Sequence, residues 1–537
     1  MDSQSKDRAF LFLSLVVSFL ILLPLLWYGF GADQGIFSYS VWIWRKFGQA
    51  PYTYVFDQAF PGIFLIHYFV QAVIGESVTS FRVFDLAWQS ATAAVIYLVT
   101  FSIFKNRLAG LLASIMYSFF CLELGPWNSG QRDGFLTLLY LLSFWLLTRQ
   151  EAARKILWQP ILAGFLIGFA FLIKPTAALL ALVFMVMIFK NARPRLPAIS
   201  AFCFSCALPS LAVIIYYWRL DGLKDLYQVL FEFNAEIYAG SMIMPLSLAV
   251  KGIILMRLWS GNLGILIGAL LLALFWKKVR VGNGSGCFWL LLIFLAAYAG
   301  YIAQGKYFIY QQAPVWGLLC LFSGAGWAET FELLAAKTGA SKRAGAFAAS
   351  VLIILLAVSL FNLELLKFLS QALPLKPSQG QKVFTYYKFC ALAADYVRVR
   401  AAPQDKVQVW GNEALINFLA KRRAPTRFPQ TFPLLLKPKQ HGKNAFQKGL
   451  AEQFLESLKK DPPVYFLVAN EPYLGFGINS TKRVLIDDYP QVWDFINEKY
   501  WPEYQMRYPD GGIEFYRIKV SAQESPQAQE QQKQNRQ

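Results

Sequence analysis

The sequence predicts a mainly α-helical, polytopic membrane protein that ends in a small α/β domain, and three observations predict it. Of 537 residues, 56% are hydrophobic and only 15% are charged, too apolar for one water-soluble core and its shell. Apolar runs recur through the first two thirds, each close to the roughly 20 residues that a helix needs to cross about 30 Å of hydrocarbon. Beyond about residue 380 the pattern changes to short apolar strands and amphipathic helices.

About eleven spans are expected, at 9–30, 80–104, 108–123, 134–148, 157–173, 176–190, 198–218, 259–276, 286–303, 309–327 and 346–366. The first follows a polar start with Lys6 and Arg8, as a secretory leader would. It is longer than a leader's apolar core and lacks a small-x-small cleavage site, so it is expected to stay as an anchor. With the N-terminus inside, alternate loops carry Lys105 and Arg107; Arg149, Arg154 and Lys155; Lys190, Arg193 and Arg195; Lys277, Lys278 and Arg280; and Lys337, Lys342 and Arg343. This is the positive-inside pattern, and it accounts for the net charge of +19 without nucleic acid.

The opposite loops are then extracytoplasmic: 31–79, 124–133, the turn at Lys174 and Pro175, 219–258, the turn at 304–308, and the chain after about 370. Loop 31–79 continues apolar and aromatic through Val41, Trp42, Trp44 and Phe47 and again through Ile63, Phe64, Ile66, Tyr68 and Phe69, which predicts two amphipathic helices at the interface. Loop 219–258, with Tyr227, Phe231, Glu232, Phe233 and Tyr238, suits either a cover over an acceptor site on that face or an interfacial helix.

The chain therefore divides into a membrane domain, 1–370, an extracytoplasmic α/β domain, 371–520, and a disordered polar tail, 521–537. Strands are expected at 406–410 and 464–468, helices at 446–459 and 491–499, and a closing hairpin around YPDGG at 508–512. Five of six cysteines lie in or beside apolar runs, so no disulfide framework is implied. Cys203 and Cys206 lack a second pair for a metal and read as small helix-packing residues.

Asp33 stands directly after the first span on the outer side. Around it Gly35 and Tyr39, then Gly48, Pro51 and Tyr52, then Asp57, Pro61 and Gly62 follow in order, with Gly130-Gln131-Arg132-Asp133, Lys174-Pro175-Thr176 and QGKYFIYQQ (304–312) farther on. In this order, spacing and common side the chain resembles the GT-C glycosyltransferases, in particular protein O-mannosyltransferases, lipid A aminoarabinose transferases and Rgt-type lipopolysaccharide-core transferases. The resemblance covers about residues 8–370, and VWGNEALINFLAKRRAPTRF (409–428) is similar to the family's periplasmic end. The family often places Lys before a double proline where Ala59 and Phe60 stand, so another basic residue must serve the phosphate here.

The resemblance implies an inverting glycosyltransferase of the cell envelope in a bacterial inner membrane, moving a sugar from a polyprenyl-phosphate donor to a glycan, lipid or protein acceptor. Such transfer needs a base for the acceptor hydroxyl and cations for the departing phosphate. Asp33 is the candidate base, and Arg132, Lys174 and Lys306 are candidate phosphate ligands, although each would also suit a snorkelling interfacial side chain. Asp133 and Asp57 are candidates for acceptor or metal; Asp133 equally suits an ion pair with Arg132 or a helix cap. A divalent cation shared by Asp33 and Asp133 is the one cofactor candidate. Secondary candidates are His67, which also suits a structural role, and Tyr39, Tyr307 and Tyr310. The rival expectations are a flippase or transporter of lipid-linked sugars, which needs charges near the bilayer midplane, and a non-catalytic scaffold.

Overall fold

The computed structural model describes residues 3–148, 157–192, 194–241, 244–247, 263–337, 382–436, 445–473, 476–508 and 511–519. The expected span 346–366, the tail 521–537, the hairpin's Pro509 and Asp510, and the cations Arg149, Arg154, Lys155, Arg193, Lys342 and Arg343 lie outside these residues. The chain is mainly helical with a small sheet near its C-terminus.

The chain forms two compact units: Met1–Phe37, Gln58–Leu230 and Met242–Phe384 make the first, and Ser38–Asp57, Phe231–Ser241 and Thr385–Gln537 the second. The first unit is a helical bundle. Helix α1 (Ser3–Leu22) gives way at Pro24 to a 3-10 turn, Leu23–Trp27, because proline cannot donate to the helical ladder. Helix α2 (Ala32–Phe47) begins in this unit, and α3 (Pro61–Val73) opens on a proline at its first position, where no amide is needed. These are the two helices expected in loop 31–79.

Helix α4 (Val78–Phe104) is capped by Ser77, whose side chain accepts from the Ser80 amide, and closes on Lys105 in the left-handed region. Asn106 then caps α5 (Arg107–Glu123), which leads to α6 (Leu136–Thr148), α7 (Trp158–Ile173), α8 (Ala178–Asn191) and α9 (Arg195–Arg219). Gly164 and Gly168 on α7 sit against Phe202, Ser205 and Cys206 of α9, an approach that a Cβ on either glycine would block. Cys206 is thus a packing residue.

The span expected at 259–276, of which 259–262 lie outside the described residues, and the span expected at 286–303 share one helix, α10 (Leu263–Ala303), of 41 residues. At about 1.5 Å per residue it is roughly twice as long as one crossing requires. The intervening stretch holds glycines but no proline, and glycine alone does not end a helix. A 3-10 turn, Ile309–Gln312, leads into α11 (Ala313–Lys337).

Among the described residues four helices are long and apolar enough to cross a membrane, at Gln4–Trp27, Val78–Phe104, Arg195–Arg219 and Gly284–Ala303, and the shorter apolar helices include Trp158–Ile173 and Pro175–Asn191. Large apolar side chains face outward: Phe12 on α1, Phe165 on α7, Leu182 on α8, Phe204 and Ile215 on α9, and Leu270 and Leu274 on α10. In water such faces would drive aggregation; hydrocarbon is the solvent they match.

The second unit is built on a four-stranded sheet of order β1-β2-β4-β3, with β1 (Val407–Trp410) parallel to β2 (Tyr465–Asn470) and the hairpin β3 (Tyr500–Tyr508) and β4 (Gly511–Ile518) antiparallel. Both strands expected from sequence are present, as are the helices, at Ala445–Lys460 and Pro490–Lys499. β1 is buried throughout and β2 nearly so, hence their largely apolar character; Gln408, the polar exception in β1, donates to the Phe428 carbonyl. Pro502 is tolerated because β3 is an edge strand, with a bulge beside it.

Candidate active site

Asp33 occupies the first turn of α2, where the helix N-terminus favours a negative charge. It is partly buried. Burial pushes its carboxyl above the ordinary value of 3.8, while the Arg132 guanidinium, a hydrogen bond with the Gln131 side chain and the Lys174 ammonium pull it back. Gln34 fixes the turn: its Oε1 accepts from the Gly31 amide at 2.9 Å, and its Nε2 donates to the carbonyls of Ser129 (2.7 Å) and Trp127 (3.2 Å).

Arg132 and Asp133 lie on a 3-10 turn, Arg132–Phe135, that opens α6 and packs against the Ile309–Gln312 turn. Lys174 ends α7 in extended backbone, the conformation a residue before proline prefers. Its ammonium meets Asp133 Oδ2 at 2.5 Å and stands 5.8 Å from the Tyr310 ring centre. Burial depresses this lysine to about 8, against the opposing pull of Asp133. The Pro61-Gly62 turn backs the site, because a Cβ on Gly62 would strike Leu172 and Ile173 just before Lys174.

Lys306 is buried on the turn after α10, between Gly305 (φ +66°) and Tyr307 (φ +55°), and desolvation lowers it to about 8. The Gly305 carbonyl accepts from the Met244 amide at 3.0 Å.

Residues 57–218 match the PMT_2 family, dolichyl-phosphate-mannose-protein mannosyltransferase. No curated protein matches the sequence. Among solved structures, ArnT from Cupriavidus metallidurans bound to undecaprenyl phosphate superposes with a TM-score of 0.59 at 10% identity, covering 98% of this chain and 100% of that one. The apo state of the same protein gives a TM-score of 0.55 at 10% identity, over 96% and 98%.

The fold is that of the GT-C glycosyltransferases. Within this GT-C fold the first unit brings Asp33, Arg132, Asp133, Lys174 and Tyr310 into one neighbourhood. His67 is buried on α3, stacked 4.4 Å over Phe81 and edged by Phe37 and Phe30. Tyr39 and Asp57 belong to the second unit, where the Tyr39 hydroxyl accepts from the Ala424 amide at 2.8 Å and Asp57 accepts from Gln430 at 3.3 Å.

Sequence reasoning did not reach Gln34 or Arg82. The signal for Arg82 was a charge near the start of an apolar span, which marks a buried polar network by default. Among the described residues no group of three or more His, Cys, Asp or Glu side chains could hold a metal. Of the two carboxylates offered for a shared cation, Asp133 has its Oδ2 engaged by the Lys174 ammonium.

Proposed function

We propose that the protein is a membrane glycosyltransferase that takes its sugar from a polyprenyl-phosphate donor. The observation that carries this is Asp33: a partly exposed carboxylate at a helix N-terminus, with the Arg132 and Lys174 charges acting on it. A base beside cations is what transfer from a glycosyl phosphate requires. Asp33 takes the proton of the acceptor hydroxyl as its oxygen bonds to the anomeric carbon. The bond from that carbon to the phosphate oxygen breaks, and the electron pair leaves on the phosphate.

Direct displacement of this kind inverts the anomeric configuration. Arg132 and Lys306 are the groups assigned to the phosphate. Lys174, held by Asp133, adds positive field from behind. The positive-inside reading of the loops puts the N-terminus in the cytoplasm and this chemistry on the far face of a plasma membrane.

The test is turnover of a panel of polyprenyl-phosphate sugars by the purified chain in lipid, with a lipid extract supplying acceptor, for wild type and Asp33→Asn. Donor consumed by wild type and not by the variant supports the assignment; equal consumption by both removes Asp33 as base. A folded wild type that consumes no donor turns the reading toward transport.

A further inference from the structure

Arg82 is fully buried near the start of α4, and all five N–H donors of its guanidinium are used. Nε donates to the Tyr28 carbonyl at 3.1 Å; Nη2 to those of Gly29 (2.6 Å) and Pro126 (3.1 Å); Nη1 to that of Ser129 (3.2 Å) and to Asp85 Oδ2 (3.1 Å). Asp85 is held in turn by Gln89, whose Oε1 accepts from the Tyr117 hydroxyl at 2.6 Å. The four carbonyls come from two segments far apart in sequence. One leads within four residues to Asp33, and the other within four to Gln131, Arg132 and Asp133.

The loop is also shaped to reach this cation. Gly130 has φ +69°, and a Cβ there would meet Phe81 at 2.6 Å, Arg82 Nη1 at 3.1 Å and Asp85 Oδ2 at 3.2 Å. The Ser129 carbonyl accepts from both Gln34 and Arg82, so one oxygen joins the Asp33 turn to the clamp.

We propose that Arg82 is a positioning residue, fixing the Asp33 turn against the Gln131–Asp133 turn so that base and phosphate-binding cation stand in register. This rests on the glycosyltransferase reading. Arg82 does not touch the reacting atoms, since its donors are spent on backbone and on Asp85. A lysine would balance Asp85 but has three donors on one atom and cannot span the fork.

The experiment compares wild type, Arg82→Lys and Gly130→Ala as full chains in lipid. The second variant strains the same loop without removing a charge. Both are expected to lower kcat about tenfold to a hundredfold, as a small misplacement of catalytic groups does. The donor KM should stay within about threefold. The acid limb of the kcat profile should move up, because Arg132, Gln131 and Lys174, the groups that face Asp33, would hold its charge less well.

Hydrogen exchange without donor gives a separate readout: amides of 28–35 and 125–134 should exchange faster in Arg82→Lys. Wild-type kcat in both variants, or activity lost only in proportion to folded protein with an unmoved acid limb, overturns the proposal. So does unchanged exchange, whatever the turnover. A wild type that consumes no donor overturns the glycosyltransferase reading, while exchange still decides whether the clamp exists.

Discussion

Lys174 Nζ lies 2.5 Å from Asp133 Oδ2, with the two side chains 10% and 1% exposed. An ion pair this deep recovers its desolvation cost only while both partners stay. Lys174→Met or Asp133→Leu alone should therefore cost about 3–5 kcal/mol, whereas the double replacement should cost less than either. Unfolding midpoints of the four proteins in one detergent measure this, and additive losses would contradict the pairing.

Asp33→Asn should lower turnover by roughly 10²–10⁴-fold, the range of a lost general base, with insertion and thermal midpoint unchanged. Burial raises the Asp33 carboxyl above 3.8, and a base works only when ionised. Activity should thus be lost on acidification at a pH above the ordinary carboxylate range. A pH profile of kcat/KM whose acid limb lies at or below 3.8 would count against Asp33.

At the alkaline end, Lys174 and Lys306 are both held down to about 8 by burial. A lysine must be protonated to stabilise phosphate, so activity should fall as pH rises through that value. Lys306→Arg keeps the charge at any accessible pH. With Lys174 then titrating alone, the alkaline fall should become shallower, changing from the loss of two protons to the loss of one; a fall of unchanged steepness removes Lys306 from phosphate binding.

In the second unit, Glu413 follows β1, fully buried, its Oε1 accepting from the Tyr473 hydroxyl at 3.0 Å. Desolvation and the Glu471 carboxylate push it well above 4.5, with Tyr386 and Cys390 also close by. The folded chain then keeps a proton that the unfolded chain has lost, so stability is greatest below 4.5 and declines as pH rises through the folded value. Glu413→Gln should flatten that decline, because an amide copies the protonated acid. An unfolding midpoint with the same pH slope in both proteins would rule this out.

Asp33 and the Lys174-Pro175 turn were legible in the sequence because charges at the ends of apolar runs are one-dimensional features. So were β1 and β2, whose apolar character reflects burial on both faces. The partner of Asp133 was not legible: neighbouring Arg132 and a cap were the local options, and the ammonium that meets it comes from 41 positions away. Arg82 escaped for a related reason. Apart from Asp85, its acceptors are backbone carbonyls 44–54 residues distant, and a carbonyl carries no sequence signature. The continuity of α10 was not legible, because basic residues between two apolar runs look like a loop whether or not the helix continues through them.

Helices α7 and α8 have 16 and 14 residues, so they rise only about 24 and 21 Å, short of the roughly 30 Å of hydrocarbon. On the proposed topology the turn that joins them, with Lys174, would sit below the headgroups unless the bilayer thins to meet it. A donor phosphate would then have to be drawn downward, its isoprenoid chain entering a locally compressed leaflet. Host lipids with shorter acyl chains should accordingly favour turnover, which makes membrane thickness a variable of the catalyst and not merely of its surroundings.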